Sequence, residues 1–135
     1  MDRFADIAGL LAAYATGYDT GDWASICECF TADGIFELVV NNGTDTTVYT
    51  GHEELGAFMR ASLEEQQDVR RHFSTNLRVL ASDDDSATVA SYLLLGVAQR
   101  EGLRIVRSGQ YTDTVVWQDG AARFAHRRLT MDGVF

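Results

Sequence analysis

Apolar residues near the start of the chain recur at helical spacing. Phe4, Ile7, Leu11, Tyr14 and Tyr18, with Ala8 and Ala15 beside them, predict an amphipathic helix over residues 3–18. Gly21 punctuates its end, and Asp22 is a natural N-cap for a short second helix carrying Trp23, Ile26, Cys27 and Phe30. Asp33-Gly34 marks a turn, and Ile35 to Val40 reads as a strand. Asn41-Asn42-Gly43 is a hairpin signal, with Thr46 to Thr50 as the return strand. Thr50 and Glu53 have the spacing of a capping box, opening a third helix whose buried stripe is Leu55, Phe58, Met59 and Leu63.

From residue 70 the period changes to two. Arg70 to Leu80 is rich in strand formers, with His72, Ser74, Asn76 and Arg78 on one side and Phe73, Thr75, Leu77 and Val79 on the other. A polar strand face ordinarily turns to water. A histidine and an asparagine four residues apart also suit a polar spot inside a pocket, so both orientations stay open at this level. Asp83-Asp84-Asp85 turns the chain into an apolar strand, Ala87 to Ala98. Arg100-Glu101-Gly102 turns it into another, Leu103 to Trp117, and Asp119-Gly120 leads to the last, Arg123 to Met131. Helices gathered before a meander predict an α+β fold whose sheet curls over the helices. No linker, repeat or low-complexity tract divides residues 1–135, which read as a single domain.

Composition narrows the partners. A formal charge of −9 argues against nucleic acid and anionic membrane surfaces, both of which attract basic patches. No apolar run approaches the ~20 residues that span a bilayer. The opening Met-Asp-Arg-Phe-Ala-Asp is acidic where a signal peptide would be basic, which gives a cytoplasmic expectation. Cys27 and Cys29 are two apart on a helix, so their side chains diverge, and no second cysteine pair or His-rich segment completes a zinc site. They are expected to be buried free thiols, and no metal is expected. No phosphate-binding glycine loop is present, so no nucleotide cofactor is expected either.

One position is locally awkward. Asp19 ends the first helix, where the macrodipole is negative and a carboxylate is disfavoured. An acid held there calls for a cationic or hydrogen-bonding partner elsewhere in the fold. His52, in the first turn of the third helix, is expected to be exposed.

Four segments in this order carry a family resemblance: Tyr18-Asp19-Thr20-Gly21-Asp22-Trp23, His72-Phe73-Ser74-Thr75-Asn76-Leu77-Arg78, Gly109-Gln110-Tyr111-Thr112-Asp113 and Phe124-Ala125-His126-Arg127-Arg128. The chain resembles the SnoaL-like branch of the NTF2-like superfamily, which includes dehydratases, dehydrochlorinases and polyketide cyclases. The resemblance implies a cone: a curved mixed or antiparallel sheet wrapped round three helices, enclosing a deep apolar pocket. It pairs Asp19 with His72 across that pocket and gives Arg127 a part in stabilising developing negative charge, with His126 and Arg128 on the opposite face. Tyr14, Tyr18, Trp23, Asn76, Tyr92, Leu94 and Tyr111 are then expected to supply walls or hydrogen bonds to substrate. The competing role for each tyrosine is core packing with a tethered hydroxyl, and for Arg127 a surface ion pair. The chain departs from the pattern after the last turn, where Ala121-Ala122 stands in place of a tryptophan, and in ending at Phe135 without the covering tail of some members.

The chemistry implied is general-base catalysis. Neutral histidine accepts a proton near neutral pH, and a carboxylate on one ring nitrogen fixes the tautomer and raises the pKa. That suits removal of an acidified C–H proton followed by loss of water or halide, double-bond migration or ring closure, without a cofactor. The expected substrate is a hydrophobic, oxygenated small molecule of polyketide or terpenoid type. The alternatives are a non-catalytic ligand-binding or oligomerisation module, and an epoxide hydrolase, whose usual Asp-Arg-Asp arrangement has no counterpart identified here. Sheet surface on this fold commonly pairs subunits, so a homo-oligomer is expected, a dimer or else a trimer.

Overall fold

The structure is a computed structural model and describes residues 2–133. Three helices, α1 (Arg3–Thr20), α2 (Trp23–Glu28) and α3 (Gly51–Glu64), combine with six strands. These are β1 (Phe30–Val40), β2 (Asp45–Thr50), β3 (Val69–Ser82), β4 (Ser86–Gln99), β5 (Gly102–Gln118) and β6 (Ala121–Met131).

Local chemistry explains most boundaries. The Asp2 carboxylate caps α1 by accepting the Ala5 N–H at 3.1 Å, and Asp22 caps α2 by accepting the Ser25 N–H at 3.1 Å. Gly21 ends α1 in the left-handed region (φ 72°), with its N–H on the Tyr18 carbonyl and the Asp22 N–H on the Gly17 carbonyl. This Schellman arrangement turns the chain directly into α2. The buried stripe of α1 is Ile7, Leu10, Leu11, Tyr14, Ala15 and Tyr18, while Phe4, expected to belong to it, lies exposed. The hairpin forms as expected, with Asn41 and Asn42 at φ 55° and 57° before Gly43.

Two expectations fail for identifiable reasons. Asp33-Gly34 is not a turn but part of β1, which shifts register against β6 between Phe30 and Ile35. A side chain at Gly34 would lie 3.0 Å from the Thr31 carbonyl and 3.1 Å from that of Phe124, so the irregularity depends on a missing Cβ. The capping box at α3 does not form either. Thr50 makes no side-chain cap; Glu54, one residue beyond Glu53, accepts the Thr50 N–H at 2.6 Å.

The sheet order is β2-β1-β6-β5-β4-β3, antiparallel except where β1 runs parallel to β6. The expected α+β cone with a curved mixed sheet and three helices is what the chain forms. Its core packs Ile7, Ile26, Phe30, Leu55, Met59 and Phe124 between helices and sheet, with Cys27 and Cys29 buried as free thiols. Burial raises both thiols, Cys29 to about 11, which keeps them protonated and unreactive. Among the described residues, no helix is long and apolar enough to cross a membrane. For function, the decisive feature is that β3 forms an edge of the sheet and α1 packs along it, bringing the end of α1 to the first residues of β3.

Candidate active site

As an edge strand, β3 has backbone N–H groups with no strand partner, and one of them belongs to His72. Asp19, in the last turn of α1, accepts that N–H at 3.0 Å and binds the His72 ring at Nδ1 through the same Oδ1 at 2.8 Å. The awkward carboxylate therefore has its partner, and one acid closes the sheet edge while orienting the imidazole. Among the described residues, Nε2, the other ring nitrogen, has no partner. The Tyr18 ring lies against the imidazole, centroids 4.9 Å apart.

His72 lines a cavity of about 310 Å³. Tyr14, Tyr18 and Tyr111 line it from α1 and β5, Phe58 and Ser62 from α3, and Phe36, Leu93, Leu95, Leu129 and Met131 from the sheet. Asp19 is not on this wall; it opens onto a groove between α1 and β3 that His72 also borders. The histidine thus stands between a largely apolar cavity and the carboxylate behind it.

Burial pushes the His72 pKa below the ordinary imidazole value. The hydrogen bond and charge of Asp19 push it up, and Arg70 and Arg127 push it down. The expectation that the acid leaves the base raised is corrected: loss of hydration outweighs the carboxylate. The ring stays neutral at neutral pH and able to accept a proton. Burial also raises Tyr14 and Tyr18 well above the phenol range and Tyr111 to about 12, so all three remain hydroxyl donors. Tyr18 spends its hydroxyl on Met59 Sδ at 2.8 Å.

Arg127 is not the surface ion pair weighed for it from the sequence. It is fully buried beside fully buried Asp113, Nε to Oδ1 3.3 Å, and does not line the cavity. Its guanidinium carbon lies 3.5 Å from the Tyr111 ring centroid and 4.2 Å from that of Tyr14. No polar side-chain atom of either residue makes a hydrogen bond. The ring faces of two cavity tyrosines therefore take the place of water around the cation. Burial raises the Asp113 carboxyl to about 6 against the pull of Arg127. His126 and Arg128, on the opposite face of β6, both reach Glu37, at 3.1 and 3.4 Å.

Four expected cavity residues lie elsewhere. Asn76 is exposed in the left-handed region (φ 54°), inside an irregularity of β3 between Thr75 and Arg78. The extra residue there reverses the alternation, so Asn76 does not share the face of His72. Tyr92 and Leu94 are 47% and 36% exposed on the outer face; Ser91, Leu93 and Leu95 point inward instead. The Leu93-Leu94-Leu95 run hid that parity, whereas the buried set Ala87, Val89 and Val97 carries it. Trp23 is 41% exposed and sits in a separate surface depression with His52 and Arg60. His52 itself is exposed, its Nε2 3.0 Å from the Phe30 carbonyl oxygen. Conversely, Arg70 and Arg107 line the cavity without having been singled out, because a surface arginine is the ordinary reading of either. Among the described residues, no three His, Cys, Asp or Glu side chains cluster as a metal site would require.

Two outcomes follow for this site. NMR titration of the His72 ring should give a midpoint below ~6.5, and Asp19→Asn should lower it further by removing the charge that favours imidazolium. Between that midpoint and ~6.5 the unfolded chain binds the extra proton, so stability should fall on acidification through this window. For the buried pair, chemical denaturation should show Asp113→Leu destabilising by about 3–5 kcal/mol, because it leaves Arg127 buried and uncompensated. Arg127→Met added to Asp113→Leu should recover part of that loss.

The geometry can be set beside known proteins. The SnoaL-like domain model matches residues 2–128. Rv3472 of Mycobacterium tuberculosis, a protein of unknown function, is 33% identical with a TM-score of 0.82 over 96% of this chain and 71% of that one. A Catenulispora acidiphila protein solved in complex with S-DNPA is 25% identical, with a TM-score of 0.79 over 96% and 92% of the two chains. ActVI-ORFA of Streptomyces coelicolor shares the fold at 21% identity, with a TM-score of 0.82 over 96% of each chain. No curated protein matches the chain. With the family model spanning nearly the whole sequence and the cone built round an Asp-His pair, the chain belongs to the SnoaL-like domain family.

Proposed function

We propose that the protein is a cofactor-independent lyase, isomerase or cyclase acting on a hydrophobic, oxygenated small molecule, with His72 as general base and Asp19 as its orienting residue. One observation carries this reading: Asp19 occupies Nδ1 of a partly buried imidazole that lines a largely apolar cavity and has, among the described residues, no partner on Nε2. With the Nδ1 proton donated to Asp19, the Nε2 lone pair accepts a proton from a C–H bond made acidic by an adjacent carbonyl. The electrons of that bond form the new double bond as the leaving group departs, and the imidazolium returns its proton to a departing hydroxide as water. In cyclisation the same carbanion attacks an internal carbonyl instead. Tyr111 and Tyr14, kept protonated by burial, are the donors for the enolate oxygen. The S-DNPA complex of the Catenulispora relative supports a small organic molecule as occupant.

A β-hydroxyketone panel on bicyclic aromatic scaffolds, followed by the absorbance of the conjugated product, tests the reaction. His72→Gln should cut turnover by roughly 10²–10⁴, and the acid limb of kcat/KM should fall below pH ~6.5. Turnover unchanged in both His72→Gln and Asp19→Asn would exclude the mechanism and leave the second role of Asp19, closing the sheet edge, as the reason for the pair.

The outer sheet face supports a homodimer as the assembly. Phe73, Tyr92, Leu94, Leu103 and Ile105 stand exposed across β3, β4 and β5, with Phe73 opposite Leu94 in register. Light scattering should report two copies per particle, and Leu94→Glu should shift the particle to one copy. A monomeric parent protein would overturn the assembly without touching the catalytic reading.

A further inference from the structure

The groove onto which Asp19 opens is a space of its own. It measures about 350 Å³ and runs between α1 and β3, separated from the cavity by the His72 ring. Ala8, Ala12 and Ala15 recur on one face of α1 with Thr16 and Asp19, at helical spacings of three and four residues. Their short side chains leave the groove deep, and Leu11 and Leu77 give it an apolar floor. Thr16, Ser74 and Thr75 add hydroxyl groups along its rim.

The charge in this groove is uncompensated. Among the described residues no arginine lines it, and the partner of Asp19 is His72 alone. Burial keeps that imidazole neutral, so the contact orients the carboxylate without cancelling its charge. Oδ1 takes the ring Nδ1 at 2.8 Å and the His72 N–H at 3.0 Å, which leaves Oδ2 only a long share of the same N–H, at 3.3 Å. The carbonyl end of α1 adds partial negative charge beside it. A neutral molecule would leave Oδ2 to water, whereas an ammonium group gives it a charge-assisted hydrogen bond. The formal charge of −9 attracts the same sign of ligand. The chain contains no lysine, so a second copy has no ammonium side chain to place there.

We propose that the α1–β3 groove binds a small organic ammonium ion, its charged end on Asp19 Oδ2 and its apolar body on the alanine face of α1. Because the same carboxylate orients His72, occupancy of the groove weakens the imidazole as a proton acceptor from the side opposite the cavity. A second positive charge beside Asp19 opposes formation of the imidazolium. The effect on turnover rests on His72 being the base; the site itself does not, because binding and the ring titration read it without turnover.

The test compares 2-phenylethylammonium with its neutral counterpart 2-phenylethanol by calorimetry and by NMR titration of the His72 ring. The ammonium ion should bind the parent protein roughly 10-fold tighter, with a preference that shrinks as salt is raised. At saturation it should lower the His72 midpoint by roughly 0.5–1 pH unit, while the alcohol leaves it in place. Asp19→Asn should abolish the preference. Ala12→Phe, which fills the groove and keeps Asp19, should abolish binding of the ammonium ion without moving the midpoint of the unliganded protein. Equal affinity for the two probes, no saturable binding, or ammonium binding that survives Ala12→Phe overturns the site, and an unmoved midpoint at saturation overturns its link to His72. Ammonium-specific binding that lowers the midpoint in a protein whose turnover survives His72→Gln upholds the site and removes only the catalytic reading.

Discussion

The Asp19 carboxylate is the constraint on which the rest of the site depends. It lies at the wrong end of a helix for a negative charge and at the open edge of a sheet, and it turns both into an asset. By accepting the His72 N–H it ties α1 to β3, and by accepting Nδ1–H it sets the imidazole tautomer. A hydrogen bond to a charged acceptor is typically worth ~1.5–3 kcal/mol, enough to repay a poor position in the macrodipole, which costs ~1 kcal/mol or less. The site is therefore part of how the edge of the cone is closed.

Behind that contact, burial sets the chemistry. His72 sits below its usual pKa because the cavity removes water faster than Asp19 replaces it, and the tyrosines sit high for the same reason. The buried Arg127–Asp113 pair adds a fixed dipole beneath the tyrosine rings. Such a pair contributes little net stability, since two desolvated ions roughly cancel their attraction. Its guanidinium is held against the rings of Tyr14 and Tyr111, which it packs from behind the cavity.

Strand irregularities decide which side chains meet this environment. The bulge between Thr75 and Arg78 sends Asn76 outward, and that between Leu95 and Gly96 carries Ile105 to the outer face shared by Tyr92 and Leu94. Each extra residue inverts every side chain beyond it, so one insertion changes the cavity more than many substitutions would.

The sequence by itself determined the helices, the hairpin and the meander, because caps, turn residues and periodicity are local, and it marked Asp19 as an acid in need of a partner; that the partner is His72 came from the family pattern. The family pattern supplied the cone. Only the tertiary structure decided that Arg127 is an interior cation, that Leu93 and Leu95 replace Tyr92 and Leu94 on the wall, and that Arg70 and Arg107 line the same cavity as His72. The reason is physical. Strand parity is lost at each bulge and in any apolar triplet, and the balance of desolvation against charge depends on groups brought together from distant parts of the chain.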